Sequence, residues 1–432
     1  MDKVFKRKTG KSEDLHKYGE PKEIKASKKK EESSFEKANV INNIEDVNIA
    51  NVINLGIPHV GEQIFDSINI NDLVKCLSVS MTWKILTENV LLKRCKVNIL
   101  EACVAGETEI VKLLLNDQRG LTIINGLKDK DKFGQTAFLL ACRNGHIDIV
   151  KQLLELPKKV GIKMRAMRYS TEEGFNARSS DGLTAFMWAC RNGHINVVNL
   201  LLVEYPNWII LNAKDKSLQT SFMWACRNGH RDIVKQLLDF QVREMLENTG
   251  NRIFYFSTAI YQDFNARNND GLTAFTWACR NGHMNVVNLL LEHPSCKGID
   301  LNARDNSRQT AFMWACSNGH KDVVKVFLDR IRPGRRVEYF DAKNKFGRTP
   351  FMYACANGCV DVVKLLLNHQ SCKQIDFNTK DNSGCNAFLW ACSYGCKDVV
   401  QVLLQNSHII DVRYPEINNF PPFIKDILKS WK

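Results

Sequence analysis

Two pairs of cysteines have a spacing that metal chemistry uses. Cys355 with Cys359, and Cys392 with Cys396, form two C-x-x-x-C pairs. Four thiolates form a common zinc site. The competing interpretation is that Cys355 and Cys392 are core thiols. Each belongs to an Ala-Cys pair that recurs at the same position along the chain, at Cys103, Cys142, Cys190, Cys226, Cys279 and Cys316. Buried Cys behaves as a small apolar residue, so we predict no metal, no disulfides and no cofactor.

The sequence contains no familiar catalytic pattern. It has no phosphate-binding loop of the G-x-x-x-x-G-K type, no H-E-x-x-H pair and no G-x-S-x-G turn. Five of its ten histidines recur at one position next to a glycine, where a role in local geometry is favoured over ligation. We therefore predict that the chain is not an enzyme.

An aromatic column with accompanying arginines is the most unusual pattern. One position is aromatic six times, at Trp188, Trp224, Trp277, Trp314, Tyr353 and Trp390. Arg191, Arg227 and Arg280 follow three residues after a Trp, on the same helix face. This pattern predicts a Trp/Arg ladder with cation–π contacts of about 0.5–1 kcal/mol each. For the Trp residues we favour packing between units.

The arginines are open to two interpretations, scaffold or partner binding, and we expect their charged ends to be exposed. The candidate target-binding residues are Arg143, Arg191, Arg227, Arg280, Arg308 and Arg348.

The elements that carry these residues are internal repeats. The segment T184-A-F-M-W-A-C-R-N-G-H194 has six close relatives, which begin at Thr136, Thr220, Thr273, Thr310, Thr349 and Asn386. Thr is a good helix N-cap, and the Gly suits a sharp turn between two helices. A second apolar-striped helix and a polar β-turn follow. An earlier unit around Leu100 to Leu115 lacks the Thr, as a terminal capping unit does.

This order of helix, Gly turn, helix and β-turn resembles the ankyrin repeat over Lys96 to Gln405. The resemblance implies an all-α ankyrin-repeat solenoid of helix-turn-helix units with β-turns or hairpins, covering residues 96–405. Positions just before the Gly turn face the concave groove in such arrays. One departure is consistent: Met, Leu or Thr replaces the usual His of the first helix, which puts the polar link between units in doubt.

The unit length varies between 36 and 53 residues, against about 33 in the usual repeat. Extra residues lie between Glu155 and Gly174 and between Asp239 and Asp263. The stretch from Gln241 to Leu246 is able to lengthen the preceding helix. Turns of the D-G-L-T and S-x-Q-T kinds alternate, which suggests growth by duplication of two repeats at a time.

Residues that differ between units are candidates for specificity. They are Ser179, Ser180, Lys216, Asn268, Asn269, Asn306, Arg308, Lys345, Arg348 and Asn382, and a basic loop spans Arg330 to Arg336. The formal net charge of +13 attracts nucleic acid, acidic membrane or acidic protein partners without choosing among them. An acidic protein partner fits the turn residues and the basic loop. Nucleic acid is not favoured, because no alternating base-stacking pattern accompanies the charge.

The segment before the repeats, residues 40–95, has a different pattern that resembles an F-box. The resemblance is carried by Ile57, Pro58, Ile64, Phe65, Leu73, Val79 and Trp83, with Val79 to Trp83 giving V-S-x-x-W. It implies a small helical motif that binds a Skp-type adaptor and, through it, a cullin of a ubiquitin ligase. The alternative is a helical N-terminal cap for the solenoid.

The remaining segments are the two ends. Residues 1–39 are polar and rich in Lys, which predicts a disordered basic tail; its short runs Lys6–Lys8 and Lys28–Lys30 are either solvated tail or a nuclear import signal. Residues 406–432 form a C-terminal cap or tail. No signal peptide and no membrane span are expected, and the Cys pattern favours the reducing cytoplasm or nucleus.

These patterns together predict a substrate receptor whose F-box-like motif docks on the ligase and whose repeats hold the target. A plain ankyrin scaffold that sequesters a partner is the alternative, and a nucleic-acid-associated protein is the weakest of the three.

Overall fold

The computed structural model describes residues 99–116, 129–159, 174–206, 209–247, 264–330, 339–373, 375–413 and 420–431. Contacts divide the chain into two compact units, Met1–Arg94 and Cys95–Lys432. The first unit lies outside the described residues, and so do the tail of residues 1–39 and all seven F-box-like positions.

The described part of the second unit is helical and contains no strand. In chain order the helices are α1 Ile99–Ala105, α2 Thr108–Asn116, α3 Ala137–Asn144, α4 Ile147–Lys159, α5 Ala185–Asn192, α6 Ile195–Val203, α7 Ser221–Arg227, α8 Arg231–Glu247, α9 Ala274–Arg280, α10 Met284–Glu292, α11 Ala311–Ser317, α12 Lys321–Arg330, α13 Pro350–Ala356, α14 Val360–Asn368, α15 Ala387–Ser393, α16 Lys397–Gln405 and α17 Pro422–Ser430. Odd and even helices up to α16 alternate as the first and second helix of each unit.

The first helix of each unit begins where the sequence predicts. The Thr220 hydroxyl accepts the backbone N–H of Met223 at 3.2 Å, which satisfies a donor that the helix itself cannot. Asn386 does the same for Leu389 at 3.0 Å. Gly229 follows the helix at a φ of +76°, a left-handed conformation that disfavours any residue with a Cβ. The second helix therefore turns back sharply.

The core lies between successive first helices. α3, α5, α7, α9, α11, α13 and α15 pack in a row, each against the next. The Phe two residues after each cap is buried; Phe186, Phe275, Phe312 and Phe388 are essentially inaccessible to solvent. The Cys of the Ala-Cys pair is buried beside it, and burial raises the pKa of the Cys103 and Cys392 thiols to about 12. These thiols are packing residues with little nucleophilic character.

A polar turn precedes each first helix, and the turns of neighbouring units are joined by backbone hydrogen bonds. Asp215 Oδ1 accepts the N–H groups of Ser217 and Gln219, both at 2.8 Å, and so closes its turn. The N–H of Lys216 then donates to the carbonyl of Asp181 in the preceding turn at 3.1 Å. Equivalent bonds connect all seven turns from Phe133 to Asn382. The turns thus form one continuous edge of the array.

Two of these turns contain backbone strain. Leu218 and Arg308 both have a φ of 59°, at the position that glycine occupies in the other five turns. A non-glycine residue there costs about 1–2 kcal/mol. Glycine would remove this strain, but it would also raise the entropy of the unfolded chain, which offsets part of the gain in stability. We expect Leu218→Gly to raise the free energy of unfolding by about 0.5–1 kcal/mol in urea titration. Ser217→Gly, one residue earlier, is the control; if it stabilises equally, the strain explanation is wrong.

The ends and insertions of the array differ from its middle. α1 and α2 form the degenerate first unit, and α8 runs on to Glu247, as the stretch from Gln241 predicts. The insertions themselves, 160–173 and 248–263, lie outside the described residues. At the other end α17 contacts α16, and Phe423 stands over Gly395, where a Cβ would come within 2.8 Å of its ring. In the earlier units the turn Gly faces the turn His or Cys of the next unit, and Phe423 takes that position next to Gly395.

Candidate partner-binding surface

The predicted Trp/Arg ladder is present in the structure. Arg191 lies between the rings of Trp188 and Trp224, with its guanidinium carbon 4.7 Å and 4.3 Å from the two ring centroids. Arg227 lies in the same way between Trp224 and Trp277, at 4.9 Å and 4.1 Å. Each first helix thus supplies one Trp and one Arg, and stacking the units brings the Arg of one against the Trp of the next.

The ladder continues at both of its ends. Arg280 lies 5.0 Å from the Trp277 ring and 4.0 Å from that of Trp314. Arg143 lies 4.5 Å from Trp188 and donates a hydrogen bond to Gln135 Oε1 at 2.9 Å. The ladder therefore runs from Arg143 to Trp314, across five units.

The expectation that the ladder arginines have exposed ends was wrong. Arg143, Arg191, Arg227 and Arg280 are each half-buried, because the neighbouring indole covers the face of the guanidinium. Burial, and next the neighbouring Arg191 and Arg280, lower the pKa of Arg227 to about 10. Burial also lowers the pKa of Arg280. Arg227 remains charged at neutral pH, but it is half-buried and close to like charges.

The indole N–H groups divide the tryptophans into two sets. Those of Trp224, Trp314 and Trp390 donate to Oδ2 of the turn residue nine positions earlier, at 3.0 Å, 3.0 Å and 3.1 Å. That residue is Asp in all three units. In the units of Trp188 and Trp277 it is Ser179 or Asn268, and neither indole N–H has a hydrogen-bond partner. From Trp188 to Trp314, turns whose side chain leaves the indole N–H unbonded therefore alternate with turns whose Asp accepts it.

The last two candidate arginines lie in turns. Arg348 is placed over the Trp390 ring at 3.9 Å, and its Nε lies 3.6 Å from Asp381 Oδ2. Arg308 is exposed at its strained turn. Thus Arg348 covers a Trp ring as the ladder arginines do, although it comes from a turn. Arg308 is the one candidate arginine of the six that does not contact a Trp ring in the described residues.

A polar link between units is present, although the sequence had put it in doubt. His194 Nε2 donates to the carbonyl of Arg143 in the preceding unit at 2.7 Å, and Asn192 Nδ2 donates to the same oxygen at 2.8 Å. Later units repeat this with the carbonyls of Arg191, Arg227 and Arg280. The turn His and Asn thus replace the missing first-helix His, and they hold the backbone of each ladder arginine.

Burial of the turn histidines makes stability depend on pH. Burial lowers the pKa of His194 and His283 below the ordinary value of 6.5. A depressed pKa means that the folded state resists protonation of these histidines. The neutral histidines therefore contribute fully to stability above the unfolded pKa, and this stability is lost as the pH falls below 6.5. We expect the melting temperature to drop between pH 7.5 and pH 5.5. The double variant His194→Gln, His283→Gln should show a smaller drop; an unchanged drop would assign the effect to other groups.

Cys359 and Cys396 occupy this same turn position in the last two units. The Cys359 thiol lies 3.6 Å from the carbonyl of Ser317, and the Cys396 thiol lies 3.3 Å from that of Ala356. Each is a shorter substitute for the turn His. Among the described residues no group of three or more His, Cys, Asp or Glu side chains is arranged to hold a metal ion.

One basic feature escaped the sequence analysis. A Lys or Arg stands directly before the polar turn in each of seven units, and we call this set the hairpin cation column. Its members are Lys130, Arg178, Lys214, Arg267, Arg304, Lys343 and Lys380. All are exposed except Arg178, which is half-buried. Alignment one residue before the turn Asp, Asn or Ser would have found it.

The other predicted specificity residues have mixed surroundings. Ser180, Lys216, Asn269, Asn306, Lys345 and Asn382 are exposed at the turns, whereas Ser179 and Asn268 are buried. Arg330 pairs with Glu292 at 2.6 Å, and the rest of the basic loop, residues 331–336, lies outside the described ranges. No helix in the described part of the chain combines the length and the apolar character needed to span a bilayer.

Comparison with known proteins agrees with this geometry. The family model for ankyrin repeats (3 copies) matches residues 71–165, 163–246, 241–341 and 337–414. The first match begins inside the F-box-like segment and includes Leu73, Val79 and Trp83. No curated protein matches the chain.

Proposed function

Since the chain belongs to the ankyrin-repeat family, whose repeats serve protein–protein interaction, we propose that its array binds an acidic protein target through the Trp/Arg ladder. The ladder is the observation that carries this proposal. It places four half-buried guanidinium groups in a line, one per unit.

The energetics of the ladder favour an anionic partner. Burial, and next the like charges of Arg191 and Arg280, lower the pKa of Arg227 against the opposite effect of Asp215 and Asp270, so its charged form has a cost in the free protein. A carboxylate from a partner would relieve that cost and accept the forked hydrogen bonds that guanidinium groups offer. The indoles hold each guanidinium in place beforehand, so less side-chain entropy is lost on binding.

The finer proposal is that the chain is the substrate-recognition subunit of a Skp–cullin–F-box ubiquitin ligase. Its support is the order of Ile57-Pro58, Ile64-Phe65 and the V-S-x-x-W stretch in the sequence. In this proposal the chain performs no chemistry; it works in the cytoplasm or nucleus and brings the target to the ligase. A scaffold that sequesters its partner, with residues 40–95 as a helical cap, is the competing proposal, and the repeat match that starts at residue 71 favours it.

Affinity purification with mass spectrometry tests both proposals at once. We compare the full chain with two variants: Ile64→Ala, Phe65→Ala in the F-box-like segment, and Arg143→Gln, Arg191→Gln in the ladder. The first should lose the Skp adaptor and cullin and keep the target. The second should keep the adaptor and cullin and lose the target. Arg231→Gln, Lys235→Gln, on α8, is the matched charge control, and circular dichroism verifies folding.

The two proposals fail separately. If the wild-type chain never captures an adaptor, or the Ile64, Phe65 variant still does, the ligase role is wrong and the scaffold role stands. If the folded ladder variant captures every partner of the wild type, the ladder is not the target-binding surface.

A further inference from the structure

The Trp/Arg ladder has one position at which the arginine is missing while the aromatic rings on both sides are kept. In a filled position, the arginine three residues after a Trp lies between that Trp and the ring of the next unit. Arg280 does so between Trp277 and Trp314, at 5.0 Å and 4.0 Å. Three residues after Trp314 stands Ser317, and the next ring of the column is Tyr353. We call the space beside Ser317, between the rings of Trp314 and Tyr353, the open rung.

No cation among the described residues fills the open rung. The one cation on the Trp314 ring is Arg280, which approaches from the side of the preceding unit, and no cation stands over the ring of Tyr353. The next space along the column is not equivalent, because Arg348 reaches into it from a turn and stands 3.9 Å from the Trp390 ring. The open rung is thus the one gap in the part of the ladder that the structure describes.

The rings that flank the open rung are more accessible than the others. Both Trp314 and Tyr353 are half-buried. The remaining members of the aromatic column are 5–8% exposed, and they are Trp188, Trp224, Trp277 and Trp390. A guanidinium covers an indole face in those units, so a missing arginine accounts for the difference. The open rung is therefore reachable from outside, whereas the filled positions are not.

An acceptor for a guanidinium is also kept beside the open rung. In the first clear repeat, Arg143 Nη1 donates to Oε1 of Gln135, eight residues earlier, at 2.9 Å. Gln309 stands eight residues before Ser317 and is 8% exposed. Its unit has no arginine at the ladder position to donate to it. An arginine that enters from another molecule can supply this hydrogen bond.

A carboxylate lies close to both rings of the open rung. Asp305 Oδ2 accepts the indole N–H of Trp314 at 3.0 Å. Burial raises the pKa of Tyr353, and Asp305 acts on it in the same direction. In the neighbouring filled position, burial lowers the pKa of Arg280, and Asp270 and Asp305 oppose this change. The carboxylate that supports one ladder cation is thus in place to support a second.

The shape of the open rung selects the chemical group. A slot between two ring faces suits a planar cation, and guanidinium stacks on aromatic faces and is less strongly hydrated than ammonium. We propose that the open rung binds an arginine side chain of the target and so completes the ladder. This inference rests on the proposed function and deepens it, because the target then combines carboxylates for the filled positions with one arginine beside Ser317.

Ligand-observed NMR on the full chain tests the pocket without the target. The probes are the acetyl amides of arginine, of lysine and of citrulline, which has nearly the shape of arginine but no charge. We expect the arginine probe to bind saturably with a Kd on the order of a few mM. The lysine and citrulline probes should bind at least about fivefold more weakly. Equal binding of either one would overturn the proposal.

Ser317→Arg is the decisive variant, since it fills the open rung from the chain itself. It should abolish binding of the arginine probe and raise the melting temperature by about 2 °C. Ser393→Arg adds the same charge at the same helix position of the last unit, about two units away and beyond the Debye length, and should leave probe binding unchanged. Loss of binding in both variants, binding retained in Ser317→Arg, or a lower melting temperature of Ser317→Arg than of the wild type contradicts the proposal.

Affinity purification carries the test to the target. Ser317→Arg should lose the target, and Ser393→Arg should keep it. If Ser317→Arg keeps the target while the Arg143, Arg191 variant loses it, the ladder function stands and the open rung is wrong. If the Arg143, Arg191 variant keeps every partner, the ladder function fails, and the NMR result still decides whether the open rung binds arginine.

Discussion

Replacing Trp224 by Ala lowers the free energy of unfolding by about 3–5 kcal/mol, the largest effect expected for any single truncation in the ladder. Trp224 is 7% exposed and stacks against Arg191 and Arg227. Its removal leaves a cavity, takes the cover from two guanidinium groups and deprives the buried Asp215 carboxylate of its indole donor. Urea and thermal unfolding, followed by circular dichroism, measure the loss.

A pair of milder variants separates the hydrogen bond from the packing. Trp224→Phe keeps an aromatic ring but loses the indole N–H, and should cost about 1–3 kcal/mol because Asp215 keeps a buried, unsatisfied oxygen. Trp277→Phe removes an N–H that has no partner, so its cost should be smaller by about 1 kcal/mol. Equal costs for the two Phe variants would show that the indole–carboxylate bond contributes nothing.

Replacing Gly229 by Ala should destabilise the array by about 2–4 kcal/mol. The φ of Gly229 is +76°, and a left-handed alanine costs about 1–2 kcal/mol. In addition, a Cβ there would stand 2.5 Å from Nδ1 of His283 in the next unit. The imidazole would have to move, and its hydrogen bond to the Arg227 carbonyl, now 2.8 Å, would break.

Gly384 provides a matched control for this prediction. It has the same φ of +76°, yet a Cβ on it would meet no atom within 4 Å. Gly384→Ala should therefore show only the backbone cost of about 1–2 kcal/mol. Thermal melting of both variants gives the contribution of the His contact by difference. If Gly384→Ala is as damaging as Gly229→Ala, the contact between units is irrelevant and backbone conformation accounts for both.

The sequence was informative wherever a residue acts within its own unit. The Thr caps, the left-handed glycines and the apolar face of each second helix all follow from local rules, and the structure has them where those rules put them. The Trp/Arg ladder could also be predicted, since one helix face carries both residues.

Properties that depend on the neighbouring unit were harder to predict. The burial of Arg191 is caused by Trp224, which is supplied by the next helix across the stack. The carboxylate that anchors Trp224 comes from a turn nine residues earlier, and only the folded turn brings Asp215 to the indole. Likewise, the turn His makes the polar contact between units that the first-helix His makes in the usual repeat. The absence of the first-helix His therefore wrongly suggested that this contact is missing.

The alternating indole anchors also bear on how the array responds to a mechanical load. Units whose Trp is tied to an Asp carboxylate have one more internal bond than units such as those of Trp188 and Trp277. Under tension between the chain termini, an untied unit should yield first and deprive its neighbour of a stacking partner. Untied and tied units alternate from Trp188 to Trp314, so we expect this part of the array to extend in an optical trap in steps of two units.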